Sequence, residues 1–424
     1  MTAKLNGLPE GMRFYLPEEA RIMNRLRERG AGVLEKWGYQ PLYVPALLPY
    51  DMIVRGMSQE RARNYYKLID YQGDILVLRP EMTAAIAGLL ARERDNLTLP
   101  ARLYYYAPVY RHESTQSGKE REIYQLGAEF FGDSQLADFE MLAVAREIIA
   151  CCGLDDYRLE IGHVGFLQSY LEELGLDFET RQQIKKELAE RNLVGFRRIC
   201  DRLPAEKATR LLKLLKLRGG PEVLEEGAQL VSSNMEEDLL QLNNIYRALK
   251  NGRGNDQIFF DLTLVRNLDY YTGIVFEIMT PDLGYNICGG GRYDRLLGSY
   301  GTASIPAVGF AIGVERLRLA WLNSQKDIEQ DKKKTVLLTL ENEDDRPLSL
   351  KLINRLHQAG LTTLLQETEP ESRDNMLEER QHNWSWWIKL ADEGNTGEYR
   401  ICDQQGRQVA VTGDPGEVIE IVSR

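Results

Sequence analysis

The sequence predicts an α+β fold in which an antiparallel sheet is flanked by helices, interrupted by a helical insertion and followed by a small C-terminal α/β domain. Two observations carry this. Strand-like apolar runs lie on both sides of a stretch from about 167 to 248 that is dense in Leu, Glu, Lys and Arg at helical spacing. A charged run, Asp327 to Lys334, then separates a last unit of about ninety residues, 335–424.

The elements follow in order. From Glu18 to Trp37, Ile22, Met23, Leu26, Val33 and Leu34 recur at helical spacing between Pro17 and Gly38, which predicts an amphipathic opening helix. Ile75 to Leu78 is a short strand leading into Arg79-Pro80-Glu81-Met82-Thr83. That places the latter at a strand-to-helix junction, because Ala84 to Ala91 is strongly helix-forming. Arg102 to Tyr110 and Ile123 to Phe131 read as antiparallel strands joined by the polar loop Arg111 to Glu122. Beyond the insertion, strands are expected at Ile258–Val265 and Gly273–Ile278, then the triplet Gly289-Gly290-Gly291 and a strand and helix over Ala307–Leu322. The linker is set at 326–334, with core 1–325 before it. A further apolar strand, Val336–Leu340, opens the last unit.

The chain has 424 residues, 43% hydrophobic and 28% charged, enough for two or three domains with a large core. Its opening residues lack signal-peptide character. No segment approaches the roughly 18 apolar residues needed to cross a bilayer, so a cytoplasmic protein without membrane contact is expected. Cys151 and Cys152 are adjacent while Cys200, Cys288 and Cys402 are scattered, which gives neither a disulfide framework nor a zinc spacing. His112, His163, His357 and His382 lie far apart, so no metal site and no cofactor are expected. A net charge of -11 argues against a broad electrostatic grip on a polyanion.

Several segments could carry chemistry. Glu81 and Thr83 could serve a helix N-terminus or a site. The two-residue period of a strand puts Gln125, Gly127 and Glu129 on one face, which either faces solvent or turns inward, where the carboxylate would need a partner. Arg266, Tyr270 and Tyr271 bring a guanidinium and two phenols to a strand end, able either to clamp a carboxylate and bound a polar ring or simply to pack a hairpin. The triplet 289–291 lacks the dinucleotide-binding spacing; it would allow close backbone approach to a ligand or form a tight turn.

In this order, LRPEMTA, YRHE with QLGAEFFG, DLTLVRNLDYYTGIVFE, GGGRYD and AVGFAIGVERL resemble the catalytic core of the histidyl-tRNA synthetases, over roughly residues 8 to 325. The resemblance implies a class II aminoacyl-tRNA synthetase fold. It implies a histidine pocket formed by Glu81, Thr83, Gln125, Glu129, Arg266, Tyr270 and Tyr271, with Arg111 and Arg316 matching the arginines that hold ATP.

A paralogous branch, the regulatory subunits of ATP phosphoribosyltransferase, is resembled more closely in the insertion: IGHVGF, NLVGFRRICDRLP and LLKLLKLRGGPEV. The loop after Arg111-His112-Glu113 continues Ser114-Thr115-Gln116 and Lys119-Glu120-Arg121-Glu122, where synthetases are basic. Ile123 stands where they carry an adenine-stacking phenylalanine. Residues 335–424 hold about 17 acidic against about 9 basic side chains, a net charge near -8, the wrong sign for gripping an anticodon stem. A degenerate anticodon-binding fold is expected there, with Trp384, Trp386 and Trp387 as packing or as a base-stacking platform.

That branch implies a non-catalytic subunit that completes a short catalytic ATP phosphoribosyltransferase subunit, takes histidine as feedback effector and forms a homodimer within a hetero-oligomer. In that reading Arg111 and Arg316 are vestigial and tRNA is not an expected partner. The alternative is a synthetase that activates histidine with ATP and charges tRNA.

Overall fold

The computed structural model describes residues 7–55, 62–93, 98–112, 120–230, 235–250, 257–266, 270–324, 334–340, 345–367, 384–391 and 398–423. The loop segment 113–119 and nearly all of the expected linker lie outside them. The chain forms two compact units, Met1–Lys326 and Asp327–Arg424.

The first unit opens with α1 (Pro17–Lys36), whose Pro17 sits in the first turn beside Glu18 and Glu19, a proline and two acids suited to a helix N-terminus. It continues with β1 (Gln40–Pro41), β2 (Leu47–Pro49), α2 (Tyr50–Val54), β3 (Lys67–Ile69), β4 (Ile75–Leu78) and α3 (Thr83–Arg92). The two long strands β5 (Ala101–Tyr110) and β6 (Glu122–Phe131) pair antiparallel along their whole length. Then come α4 (Ala137–Cys151) and β7 (Arg158–His163).

The insertion is helical, as α5 (Val164–Glu173), α6 (Phe178–Ala189), α7 (Leu193–Cys200), α8 (Ala205–Leu214), α9 (Glu222–Ala228) and α10 (Glu236–Leu249). Side chains start three of these helices: His163 Nδ1 accepts from Phe166 N, Asp177 from Thr180 N and Asn192 from Gly195 N. A two-residue strand, β8 (Arg218–Gly219), falls between α8 and α9 and pairs with the core strand β9 (Ile258–Asp261), which ties the insertion to the sheet.

Strand β9 is shorter than the 258–265 expected. Asp261 Oδ1 accepts from Thr263 N at 2.9 Å and from its hydroxyl at 2.6 Å, and this local turn outcompetes the ladder. The unit closes with β10 (Ile274–Met279), β11 (Asn286–Arg292), β12 (Ala307–Gly313) and α11 (Val314–Asn323). Nine of these strands form one sheet in the order β1-β5-β6-β12-β11-β10-β7-β9-β8, antiparallel except at β1/β5 and β7/β9, and β2, β4 and β3 form a second. Gly289, Gly290 and Gly291 therefore lie inside β11 and form no turn.

Helix α1 lies on one face of the sheet, close enough at Gly30 that a β-carbon there would stand 2.4 Å from Leu126 Cδ2 on β6. On the other face, Val77, Met82, Ile86, Tyr105, Phe131 and Tyr293 belong to a buried cluster around α3. The second unit has its own core and a five-stranded sheet. Its elements are β13 (Thr335–Leu340), α12 (Arg346–Gln358), β14 (Thr362–Glu367), β15 (Trp386–Ala391), β16 (Glu398–Cys402), β17 (Gln408–Thr412) and α13 (Pro415–Ser423), in strand order β14-β13-β15-β16-β17. Trp386 packs against that core. Trp387 donates to Thr339 Oγ1 at 3.0 Å and carries the Lys389 ammonium 3.8 Å from its ring.

Candidate functional site

The site rests on a floor almost free of side chains. Gly309 on β12 lies opposite Gly291 on one side and Glu129 on the other, while Ala311 lies between Gly289 and Gly127. Each glycine makes room for a particular group. A β-carbon at Gly309 would stand 1.6 Å from Glu129 Oε2, at Gly289 1.4 Å from Arg266 Nη1, at Gly291 2.9 Å from the Tyr271 ring and at Gly127 2.4 Å from the Tyr105 hydroxyl. A strand interior gives up packing by using glycine, and here the vacated space holds polar side chains flat against the sheet.

Glu129 is fully buried on β6. It accepts a 2.7 Å hydrogen bond from the Thr83 hydroxyl and another from the Tyr293 hydroxyl. Burial pushes its carboxyl up to about 8, against the two hydrogen bonds, and the neighbouring Glu81 charge adds to the rise. Glu81, at the β4–α3 junction, serves two purposes. Its Oε1 accepts from Ala84 N at 2.7 Å, as a helix N-terminus requires, and its Oε2 accepts from the Tyr270 hydroxyl at 2.8 Å. The helix N-terminus expected from the sequence is thus served by one oxygen of Glu81, and the other holds a phenol.

The Tyr270 and Tyr271 rings stand 5.0 Å apart and Tyr293 meets Tyr270 edge-on at 5.6 Å. Arg266 lies over Gly289 with its guanidinium 6.0 Å from the Tyr271 ring. It donates to Phe276 O at 3.1 Å and stands 3.6 Å from Glu277 Oε1, while its buried Nε has no partner among the described residues. On a β-sheet, positions two residues out of register on adjacent strands are about 7–8 Å apart, which is the relation of Gly309 to Gly289. Carboxylates at one point and a guanidinium at the other suit a small zwitterion, cation toward Glu129 and Glu81, anion toward Arg266, with phenols bounding any ring it carries.

The remaining expected residues sit around this centre. Gln125 shares the strand face of Gly127 and Glu129 and lies between Ala107 and Gly313. Arg111 donates through Nε to Pro80 O at 2.7 Å, bracing the loop that carries Glu81. Arg316, on α11, donates to both Asn286 O and Asn286 Oδ1 at 2.8 Å, with Tyr285 beneath it at 4.9 Å. The acids of the loop end serve the protein itself: Tyr15 donates to Glu120 at 2.6 Å and Tyr110 to Glu122 at 3.0 Å. Ile123 packs on the core cluster.

Two further residues of this cluster, Tyr105 over Gly127 and Tyr293 on Glu129, carry no signal of their place in the sequence. Tyr293 stood in the quoted GGGRYD run without a role. Tyr105 is identifiable only once β5 and β6 are in register, which sets it opposite Gly127.

A mainly antiparallel sheet with α1 on one face and a glycine-floored cluster of polar side chains on the other is the architecture of the class II aminoacyl-tRNA synthetase-like proteins. The sequence profile described as histidyl-tRNA synthetase matches residues 11–317. The ATP phosphoribosyltransferase regulatory subunit of Halothermothrix orenii is 38% identical over 408 residues, covering 96% of this chain and 97% of that protein. A crystal structure of an ATP phosphoribosyltransferase regulatory subunit/histidyl-tRNA synthetase from Bacillus halodurans is 30% identical with a TM-score of 0.77, covering 91% of this chain and 97% of the other. Histidyl-tRNA synthetase from Nostoc sp. PCC 7120 shares the fold, with a TM-score of 0.79 at 22% identity over 99% of each chain. The chain belongs to the histidyl-tRNA synthetase family, in the branch of the ATP phosphoribosyltransferase regulatory subunits.

Proposed function

We propose that the pocket binds free histidine and that the chain acts as a non-catalytic regulatory subunit, completing a short catalytic ATP phosphoribosyltransferase subunit for the first step of histidine biosynthesis and relaying feedback by histidine. The observation that carries the pocket reading is the buried Glu129, held by Thr83 and Tyr293 and raised to about 8. A carboxyl in that state gains most from an incoming cation, such as an α-ammonium or a protonated imidazole. Tyr270, Tyr271 and Tyr105 would frame the ring, and Arg266 would take the carboxylate. In this reading Arg111 and Arg316 serve as loop and strand braces, matching the contacts they make to Pro80 and Asn286.

Feedback requires that histidine bind two states of the assembly unequally, and a coupling of roughly 1 to 3 kcal/mol is sufficient. Activity of a catalytic subunit from the same organism is measured alone, with this protein, and with histidine added. Activation that histidine reverses is the expected outcome. No activation, together with histidine-dependent ATP–pyrophosphate exchange by this chain alone, would overturn the reading in favour of a synthetase.

A further inference from the structure

The helical insertion touches the core sheet through a cluster of charges, and one carboxylate in it also touches the pocket. Glu277 stands on β10 on the same sheet face as Gly289, its register partner on β11. Its Oε1 lies 3.6 Å from Arg266 Nη1 and accepts from Asn286 Nδ2 at 2.8 Å. Its Oε2 lies 3.1 Å from Arg191 Nη2, which comes from the insertion, in the turn between α6 and α7. The same guanidinium is 3.6 Å from Glu160 on β7, a residue only 1% exposed, which Arg218 of β8 also contacts at 3.2 Å. Asn286 in turn receives Arg316.

Arg191 is placed at a cost. Its φ is 54°, the one positive value at a non-glycine position among the described residues. Glycine or asparagine suits that left-handed conformation far better than an arginine with a β-carbon. The side chain is 54% exposed while its carboxylate partners are 14% and 1% exposed, so the guanidinium reaches inward from solvent to two shielded acids. A contact of this kind is weak enough to open and close.

We infer that Arg191 and Glu277 form a latch through which the insertion reads occupancy of the pocket. Arg266 and Arg191 share Glu277, and they compete for its charge. A ligand carboxylate taken by Arg266 weakens the pull of Arg266 on Glu277 and leaves that carboxylate to Arg191. Ligand binding therefore tightens the insertion against β10. By reciprocity, opening the latch weakens the ligand by the same factor that the ligand tightens the latch. The inference rests on the pocket taking histidine, and Arg191 and Glu277 act in it as positioning residues, apart from ligand contact.

The test uses the full chain, with hydrogen–deuterium exchange of the 178–200 region and calorimetric histidine titration in parallel. In the unaltered protein, histidine is expected to slow exchange across α6 and α7. Arg191→Gly, which keeps the left-handed turn without strain, should abolish that slowing and weaken histidine by about 5-fold or more, the lower end of ordinary coupling, while Glu277→Gln, which keeps an acceptor for Asn286 but frees Arg266 of its competitor, should abolish the slowing without weakening histidine. If exchange in 178–200 ignores histidine in the unaltered protein while titration shows binding, the latch is overturned and the pocket reading stands. The latch also falls if Arg191→Gly raises exchange equally with and without histidine and leaves affinity unchanged, since that is the signature of a purely structural tether. No heat of binding from the unaltered protein removes both inferences together.

Discussion

At the scale of single residues, the pocket is governed by how buried charge is disposed of, and Glu129 is its clearest case. With its carboxyl raised to about 8, Glu129 is mostly protonated at neutral pH. A cation bound there restores the ordinary preference for the charged form and expels the proton. Histidine titrations at pH 7.5 in two buffers of different ionisation enthalpy should report about one half to one proton released per histidine. Glu129→Gln should remove that release and weaken binding, and Glu129→Ala and Tyr271→Ala should weaken binding and relieve inhibition without dissociating the complex. Unchanged affinity in both alanine variants would sink the pocket assignment. The same shift bears on stability with a definite sign. A carboxyl whose pKa rises on folding contributes most below its ordinary value, 4.5 here, and that contribution is lost as pH rises through about 8. The ligand-free protein should therefore melt at progressively lower temperature between these limits, and Glu129→Gln should flatten part of that slope. Glu315, raised by burial to about 7, has the same sign and accounts for a remainder below pH 7. The glycines divide by what they would strike. Gly289→Ala meets the end of a flexible arginine, so it should fold and lose carboxylate affinity. Gly309→Ala meets a carboxylate pinned from two sides and should cost about 1–3 kcal/mol in thermal denaturation as well.

At the scale of elements, the strands and helices that position the site were legible as apolar and aromatic runs bounded by polar, glycine or proline breaks. The 10-residue pairing of β5 with β6 follows from two aromatic and apolar runs joined by a polar loop, and α1 follows from five apolar residues at helical spacing. The triplet 289–291 left a turn and a close approach both open, since neither propensity nor period says that three glycines will lie inside a strand. Partners far away in sequence decide it: Arg266, Tyr271 and Phe310 occupy the space their side chains would have filled. Tyr105 was hidden for the same reason, because its place depends on register across the sheet. Asp261 ended β9 early by a hydrogen bond too local for any strand pattern to reveal. The α1–β6 contact makes an element-scale prediction independent of the site. Gly30→Ala would press a β-carbon 2.4 Å from Leu126 Cδ2 and 3.2 Å from Ile148 Cγ2. Overpacking there should lower stability by about 1–3 kcal/mol in denaturant unfolding, with histidine affinity unchanged because Leu126 points away from the pocket face that carries Gln125, Gly127 and Glu129.

At the scale of the whole molecule, the two units differ in what their cores can respond to. Every residue of the pocket lies within 1–326, and the cluster of Val336, Leu338, Ile388, Tyr399 and Val418 belongs to the second unit alone. Each unit has enough core to unfold as its own cooperative step, and a ligand stabilises only the state that binds it. Differential scanning calorimetry of the full chain should then resolve two transitions, one of which moves with histidine. At 100 times the dissociation constant the linkage term is about 2.7 kcal/mol, which for a unit of this size corresponds to a shift of a few degrees. The second transition should stay where it is. It should respond instead to salt, since residues 335–424 carry about 17 acids against 9 bases and screening relieves their mutual repulsion. A single transition that histidine moves as a whole would mean that the acidic unit is energetically coupled to the pocket. Its role would then have to be sought in relaying the signal.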